Sequence, residues 1–435
     1  VHMVRQLLTA REACPPGAID CLLLSDYTAC MTCQSGGDTA IVSAVQQAIS
    51  ALDTPTRHFF YMQRQRAWNE KRRCFAPRGG RHGALDALNH LLADGMCSDT
   101  FDAATIPPNT LHRRYAYVLS IREDTLPIPD SVTSLIGLLA HPLNQRIQTR
   151  HGAKGISILC PRLACRLHTN DKTLALMQHE EQYNEYPGIH LFEGVGLYHP
   201  AALLESTAEQ LPKTGSMTLS MLEGLLAGCM TDPQAVFTED TSETVEEVLE
   251  KESQRAWAVF RLLPWLFPYV KYQNGARKNP LSKSDKRHLR AQILETLLPL
   301  CQMGLLLFSA FAHEPGLLLF VLFWPKVDLL LKKRWQALPG ILARLCLLPR
   351  RSAGYVHTLL QRLSQHRQAH SSRKFALPES IGTLTDWSQV FAAILTGVLA
   401  IRGIPEPLAL FISVLFAAYP LMIRRLETPC RPQVP

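Results

Sequence analysis

Short apolar runs alternate with amphipathic stretches along the first 270 residues. Ala18–Ser25 (AIDCLLLS) is apolar and ends at Asp26, which fits a buried strand. His58–Gln63, Tyr115–Ile121 and Gly155–Cys160 have the same character. Between them, Ala40–Leu52, Gly83–Leu92 and Ser131–Leu139 repeat apolar positions at helical spacing. Strands alternating with helices predict an α/β domain with a mostly parallel sheet and helices on both faces. In such sheets ligands sit beyond the carboxyl ends of the strands. Asp26 and the segment Arg122-Glu123-Asp124-Thr125 directly follow apolar strands and are the candidate site residues.

The pattern changes after residue 290. Leu294–Ala312 is almost wholly apolar, and the break His313-Glu314-Pro315-Gly316 precedes a second run, Leu317–Trp324. Trp387–Ile401 and Pro407–Ile423 flank Arg402-Gly403-Ile404-Pro405-Glu406. Runs of this length predict two transmembrane hairpins, with buried soluble helices as the alternative. Net charge is +8, and most of the basic excess lies after residue 250, around these runs. The turns inside each pair carry little positive charge. By the positive-inside rule both flanks and the central loop are cytosolic, and so is the α/β domain. Basic residues that flank apolar runs point to a membrane and lipid, and away from nucleic acid. The expected layout is a cytosolic domain over 1–270, an interfacial segment and first hairpin over 271–333, a basic loop over 334–386 and a second hairpin over 387–425.

Twelve cysteines at irregular spacing exclude a disulfide scaffold in a chain of 435 residues. Cys30 and Cys33 form a CxxC without a second pair at zinc-finger spacing, and read as ordinary reduced thiols. The sixteen histidines show no metal-binding spacing such as HExxH. No signal peptide is apparent, and a start in mid-pattern at Val1 suggests a fragment of a longer protein.

Local motifs narrow the reading. Tyr117–Pro127 (YVLSIREDTLP) resembles the segment ending Asp-Ala-Asp-Thr-Leu-Pro of the cyclic β-1,2-glucan synthases. Ala140-His141-Pro142-Leu143-Asn144, Gly155–Arg162, Phe192–Tyr198, Met221-Leu222-Glu223-Gly224 and Arg261–Leu266 are similar to further segments of that family, in order. Leu23–Asp26 and Arg64-Gln65-Arg66-Ala67-Trp68-Asn69 fit its first strand and its Arg-x-Arg-x-Trp-Asn segment.

The resemblance implies a GT-A-like nucleotide-sugar domain on a bacterial inner membrane, with its catalytic-like domain cytosolic. It implies glucose transfer from UDP-glucose to a growing glucan, a Mg2+ or Mn2+ cofactor and other glucan-synthase subunits as partners. It assigns the metal to Asp124 and the nucleotide sugar to Asp26 and Asp124. Arg122 reads with them as a stand-in for part of the metal's charge on the diphosphate or as the mark of a dead site. Gly194, Gly196 and Trp257 read as acceptor contacts, with a simple turn as the alternative for the two glycines. Two positions depart from the family pattern. Arg122 replaces the first metal acid, and Leu219-Ser220 replace the His-Asp pair that contains the base. Glu223 is the substitute catalytic base, one helical turn on from Ser220. The Gln254-Arg255-Ala256-Trp257 segment is one residue short of the family spacing. These departures leave two alternatives: a membrane-bound glycosyltransferase, or a catalytically degenerate relative acting as a non-enzymatic membrane or partner subunit.

Overall fold

A computed structural model describes residues 2–14, 19–54, 58–70, 73–78, 80–95, 101–144, 147–149, 152–166, 192–207, 216–240, 245–272, 275–312 and 345–368. The chain divides into two compact units. The first comprises Val1–Ala164, Asn184–Glu239 and Pro264–His288; the second comprises Cys165–Tyr183, Asp240–Leu263 and Leu289–Pro435.

The first unit starts with helix α1 (His2–Glu12), strand β1 (Cys21–Asp26), helix α2 (Asp38–Ser50) and strand β2 (Phe59–Arg64). A small hairpin, β3 (Ala67–Asn69) and β4 (Cys74–Ala76), precedes helix α3 (Gly80–Asp94) and strand β5 (Phe101–Ala104). The apolar runs read from the sequence form β1 and β2, which pair in parallel from Cys21↔Phe59 to Asp26↔Arg64. β5 joins the other edge of β2 antiparallel. The parallel pairing needs the α2 crossover, which right-handed packing lays on the sheet. Ile49 of α2 is fully buried in a cluster with Val42, Phe59 and Tyr61. On the opposite face Met62 packs with Leu88, Leu91 and Leu92 of α3.

Next come β6 (Val118–Ser120), β7 (Thr125–Pro127), helix α4 (Ser131–Ala140), the hairpin β8 (Ile147–Thr149) and β9 (Gly152–Lys154), and β10 (Ile158–Arg166). They are followed by β11 (Gly196–Tyr198), helices α5 (Pro200–Thr207) and α6 (Ser216–Ala227), and the long strand β12 (Cys229–Asp240). A second sheet has the order β6-β11-β10-β12-β7. Here the expectation of a mostly parallel sheet is corrected. β6 with β11, β11 with β10 and β12 with β7 are all antiparallel. The fold is mixed α/β with a parallel pair in one sheet and antiparallel pairs in the other. The reason lies in the link Ile121–Asp124. It joins the two edge strands β6 and β7 without a crossover helix, so the sheet must curl to bring its edges together, and β7 closes on β12. Val132, Leu135 and Leu139 of α4 fill the curl against Leu159, Leu197 and Phe237. Pro127 is tolerated because β7 is an edge strand. A final hairpin, β13 (Tyr269–Tyr272) and β14 (Gly275–Lys278), completes the described part of this unit.

Two further helices belong to the second unit: α7 (Val245–Phe260) and α9 (Leu348–Gln368). Between them in sequence lies α8 (Lys283–Ala312). α7 carries Glu246 and Glu247 in its first turn, where carboxylates favour the helix dipole. α8 opens with a reciprocal cap: Ser282 N–H donates to Asp285, and Asp285 N–H donates to Ser282 Oγ.

No helix among the described residues is long and apolar enough to cross a membrane. The first expected span, 294–312, is the C-terminal part of α8. Its Leu297 and Leu300 pack on Phe260 and Tyr355, so protein rather than lipid covers part of its apolar surface. The remainder of both expected hairpins, in 313–344 and 369–435, lies outside the described residues. The basic stretch read as a loop contains α9. Its Arg350 and Arg351 are buried against Glu246 and Glu252 of α7 at 2.7 and 2.9 Å.

Candidate functional site

A cavity of about 840 Å³ opens in the first unit between the free edges of β1 and β6. Leu22–Leu24 line one wall and Tyr115–Asp124 the other. At one end Asp20 accepts a hydrogen bond from the Tyr115 hydroxyl and pairs with Arg114 at 3.2 Å. At the other end stand Asp26, Arg122 and Asp124. Volume in this range is that of a small-molecule site.

Asp26 ends β1 opposite Arg64, the last residue of β2. The Arg64 guanidinium donates Nε–H to Oδ1 at 2.8 Å and Nη2–H to Oδ2 at 2.7 Å. Its Nη1 donates to the Arg78 carbonyl. The side chain is 3% exposed, so this fork is part of the scaffold. Gly83 makes room for it. A Cβ there would lie 2.1 Å from the Arg78 oxygen and 2.8 Å from Arg64 Nη1. Arg66 ties down the next loop in the same manner. It pairs with both Asp38 oxygens, donates to the Thr28 and Cys33 carbonyls, and lies 4.6 Å above the Tyr27 ring. The hydrogen bond from Arg66 holds the Asp38 carboxyl below its ordinary range.

Arg122 sits on the link between β6 and β7. Its Nε donates to Asp124 Oδ1 at 3.2 Å, and its Nη2 donates to Glu239 Oε1. Glu239 reaches it because β12 sets Glu239 opposite Thr125. Burial pulls the guanidinium down, but Glu239, Asp124 and Glu193 outweigh it and hold it above its ordinary value. Arg122 therefore stays cationic among carboxylates that outnumber it.

Asp124, to which the resemblance assigns the metal, is already engaged by the Arg122 guanidinium two positions before it, so one of its oxygens is shared with a fixed cation. Among the described residues no group of three or more His, Cys, Asp or Glu side chains is disposed to hold a metal ion.

Glu223 lies elsewhere. It is on α6, away from the cavity lining, with its Oε1 2.8 Å from His82 Nε2 of α3. Their side chains are 9% and 8% exposed. Burial raises the Glu223 pKa against the pull of His82. Burial lowers that of His82, but Glu223 and Asp86 reverse the sign and the net shift is upward. Leu219 and Ser220 are buried on the same helix.

Gly194 and Gly196 have packing reasons for being glycine. Gly194 has φ +91° and accepts a hydrogen bond from Ser120 Oγ at 2.9 Å. A Cβ on Gly196 would lie 2.8 Å from the Leu159 oxygen across the β11–β10 pair. Trp257 is half-buried on α7, in the second unit.

The structure thus brings Asp26, Arg122 and Asp124 to one cavity and leaves Glu223 with His82. Sequence reasoning missed Glu239 and His82. Glu239 is 117 residues from Arg122 and had no local signal. His82 meets Glu223 across a long sequence separation and had no local signal either.

The order of motifs now has a comparison to stand beside. No family model matches the chain. A stretch of 337 residues, 72% of the chain, is 25% identical to the cyclic beta-(1,2)-glucan synthase NdvB of Rhizobium meliloti (strain 1021). The chain is a distant relative of that synthase. The match spans 11% of the synthase's length.

Proposed function

We propose that the chain is a glycosyltransferase-like protein of glucan-synthase descent. It has kept the nucleotide-sugar cleft and lost the metal-dependent transfer step. One observation carries this reading: the Arg122 guanidinium, bound to Asp124 and Glu239, stands where the resemblance calls for a metal carboxylate. A departing diphosphate needs its charge neutralised. Arg122 supplies one positive charge, already shared among Glu239, Asp124 and Glu193. A transfer step also needs a carboxylate base within reach of the acceptor hydroxyl, and the pairing of Glu223 with His82, outside the cavity lining, supports the same reading. On this reading Asp26, Arg122 and Asp124 bound a cleft for UDP-glucose or a glucan end, and the chain acts as a non-enzymatic subunit beside a glucan-synthesising partner.

Asp26 and Asp124 lining one cavity supports the second reading, a slow glucosyltransferase using UDP-glucose and Mg2+ or Mn2+. The experiment is transfer from radiolabelled UDP-glucose to β-1,2-linked oligosaccharides, with Mn2+ or Mg2+ present. The first reading predicts no product above the chemical background. Multiple turnovers that vanish in Asp124→Asn would reverse it in favour of the second.

A further inference from the structure

Cys160 of β10 and Cys229 of β12 lie on neighbouring strands of the curled sheet, with their sulfurs 3.3 Å apart. They are 5% and 2% exposed and sit in a core cluster with Phe192, Tyr198 and Leu203. The backbone beside them is clamped. Ser157 and Ile158 both donate N–H to the Gly228 carbonyl, at 3.1 and 3.3 Å. The strands therefore hold the two thiols face to face. A disulfide brings sulfurs to about 2.05 Å, so closing the bond takes an approach of roughly one ångström.

We propose that Cys160 and Cys229 are a modification site, a latent disulfide that a low-molecular-weight disulfide such as glutathione disulfide closes. The chemistry balances as two exchanges. One protein thiolate attacks the small disulfide, forms a protein–glutathione mixed disulfide and expels one glutathione thiolate. The second protein thiolate attacks the sulfur bound to the protein, closes the Cys160–Cys229 bond and expels the second glutathione. Two protein thiols are oxidised, one small disulfide is reduced, and the two protons end on glutathione.

The same geometry makes the site conditional. The hydrogen bond that the Cys229 thiol shares with Cys160, together with full burial, pushes Cys229 up, so little thiolate forms while the sheet is closed. Oxidation proceeds through opening of the sheet, and the bond then stays shut when the sheet closes. The staple joins positions 69 residues apart and fixes both ends of the chain excursion between β10 and β12. A loop of that size stabilises substantially by restricting the unfolded chain. This inference stands independently of the proposed function.

The test incubates the reduced chain with glutathione disulfide, without urea and at a urea concentration just below the unfolding transition. Tryptic mapping and intact mass follow the product. The expected result is slow loss of about 2 Da without urea and faster loss with it. The Cys160 peptide should be joined to the Cys229 peptide, and Tm should rise on the order of 10 °C, reversed by dithiothreitol. Cys160→Ala and Cys229→Ala should each abolish the rise. If either variant fails to fold, the wild-type map decides alone. Retention of both thiols under both conditions would overturn the inference, and so would capture of either cysteine by a different partner.

Discussion

Two guanidinium–carboxylate clusters reach the same cavity, one through Asp26 and the other through Arg122 and Asp124, and they differ in what surrounds them. Arg64 is sealed: its fork is spent on Asp26, its remaining nitrogen on a backbone carbonyl, and its side chain is 3% exposed. Arg122 is 19% exposed, makes one bond to each of two carboxylates and lines the opening. Similar groups thus serve as scaffold in one place and as a chemical substitution in the other. Burial and completeness of bonding distinguish them, because a buried charge that loses its partner is strongly destabilising while an accessible one recruits water.

The largest effect that would break this comparison is Arg64→Leu. It removes both hydrogen bonds to Asp26 and the one to the Arg78 carbonyl and should cost about 3 kcal/mol, read by urea denaturation. A loss near zero would mean that Asp26 is solvated and that Arg64 is no scaffold. Gly83→Ala comes next. The added methyl meets the Arg78 backbone oxygen, which does not yield like a side-chain tip, so a loss of roughly 1–3 kcal/mol is expected. Arg122→Ala should cost less, about 1–2 kcal/mol, because Arg122 makes one bond to each of two carboxylates, against two to Asp26 and one to a backbone carbonyl for Arg64. A larger loss than for Arg64 would invert the contrast.

The smallest effect concerns pH. Glu223 and His82 both have folded pKa values above their ordinary 4.5 and 6.5. The folded state then binds protons more tightly than the unfolded one. Their contribution is complete below those ordinary values and is lost as pH rises through the raised ones. The urea midpoint should therefore fall as pH rises above 4.5 and on past 6.5, and Glu223→Gln should flatten that slope. An unchanged slope would mean that the pair does not titrate in this window.

How much of this was legible beforehand follows from sequence separation. β1, β2 and α4 were readable because each is a contiguous apolar or amphipathic run ended by a polar residue. The long strand β12 was not. Its CMTDPQAVFTED carries Pro233 and several acids, which argue against a strand locally, and only its partners β10 and β7 justify it. Asp26 and Asp124 were legible as acids after strands. The hold of Glu239 on Arg122 was not, since Glu239 arrives through an antiparallel pairing that replaced the expected parallel one. Composition alone does not say what covers the apolar run 294–312: Phe260 and Tyr355 cover Leu297 and Leu300, while Leu294, Leu305 and Phe308 stay exposed.

The central claim is that a fixed guanidinium has displaced a metal from the site. The most direct measurement is Mn2+ binding by electron paramagnetic resonance, on the wild-type chain and on Arg122→Asp. The account predicts no specific Mn2+ binding in the wild type. It predicts a single site in Arg122→Asp, where the new carboxylate joins Asp124 and Glu239, and loss of that site on adding Asp124→Asn. A specific Mn2+ site in the wild type, abolished by Asp124→Asn, would contradict it.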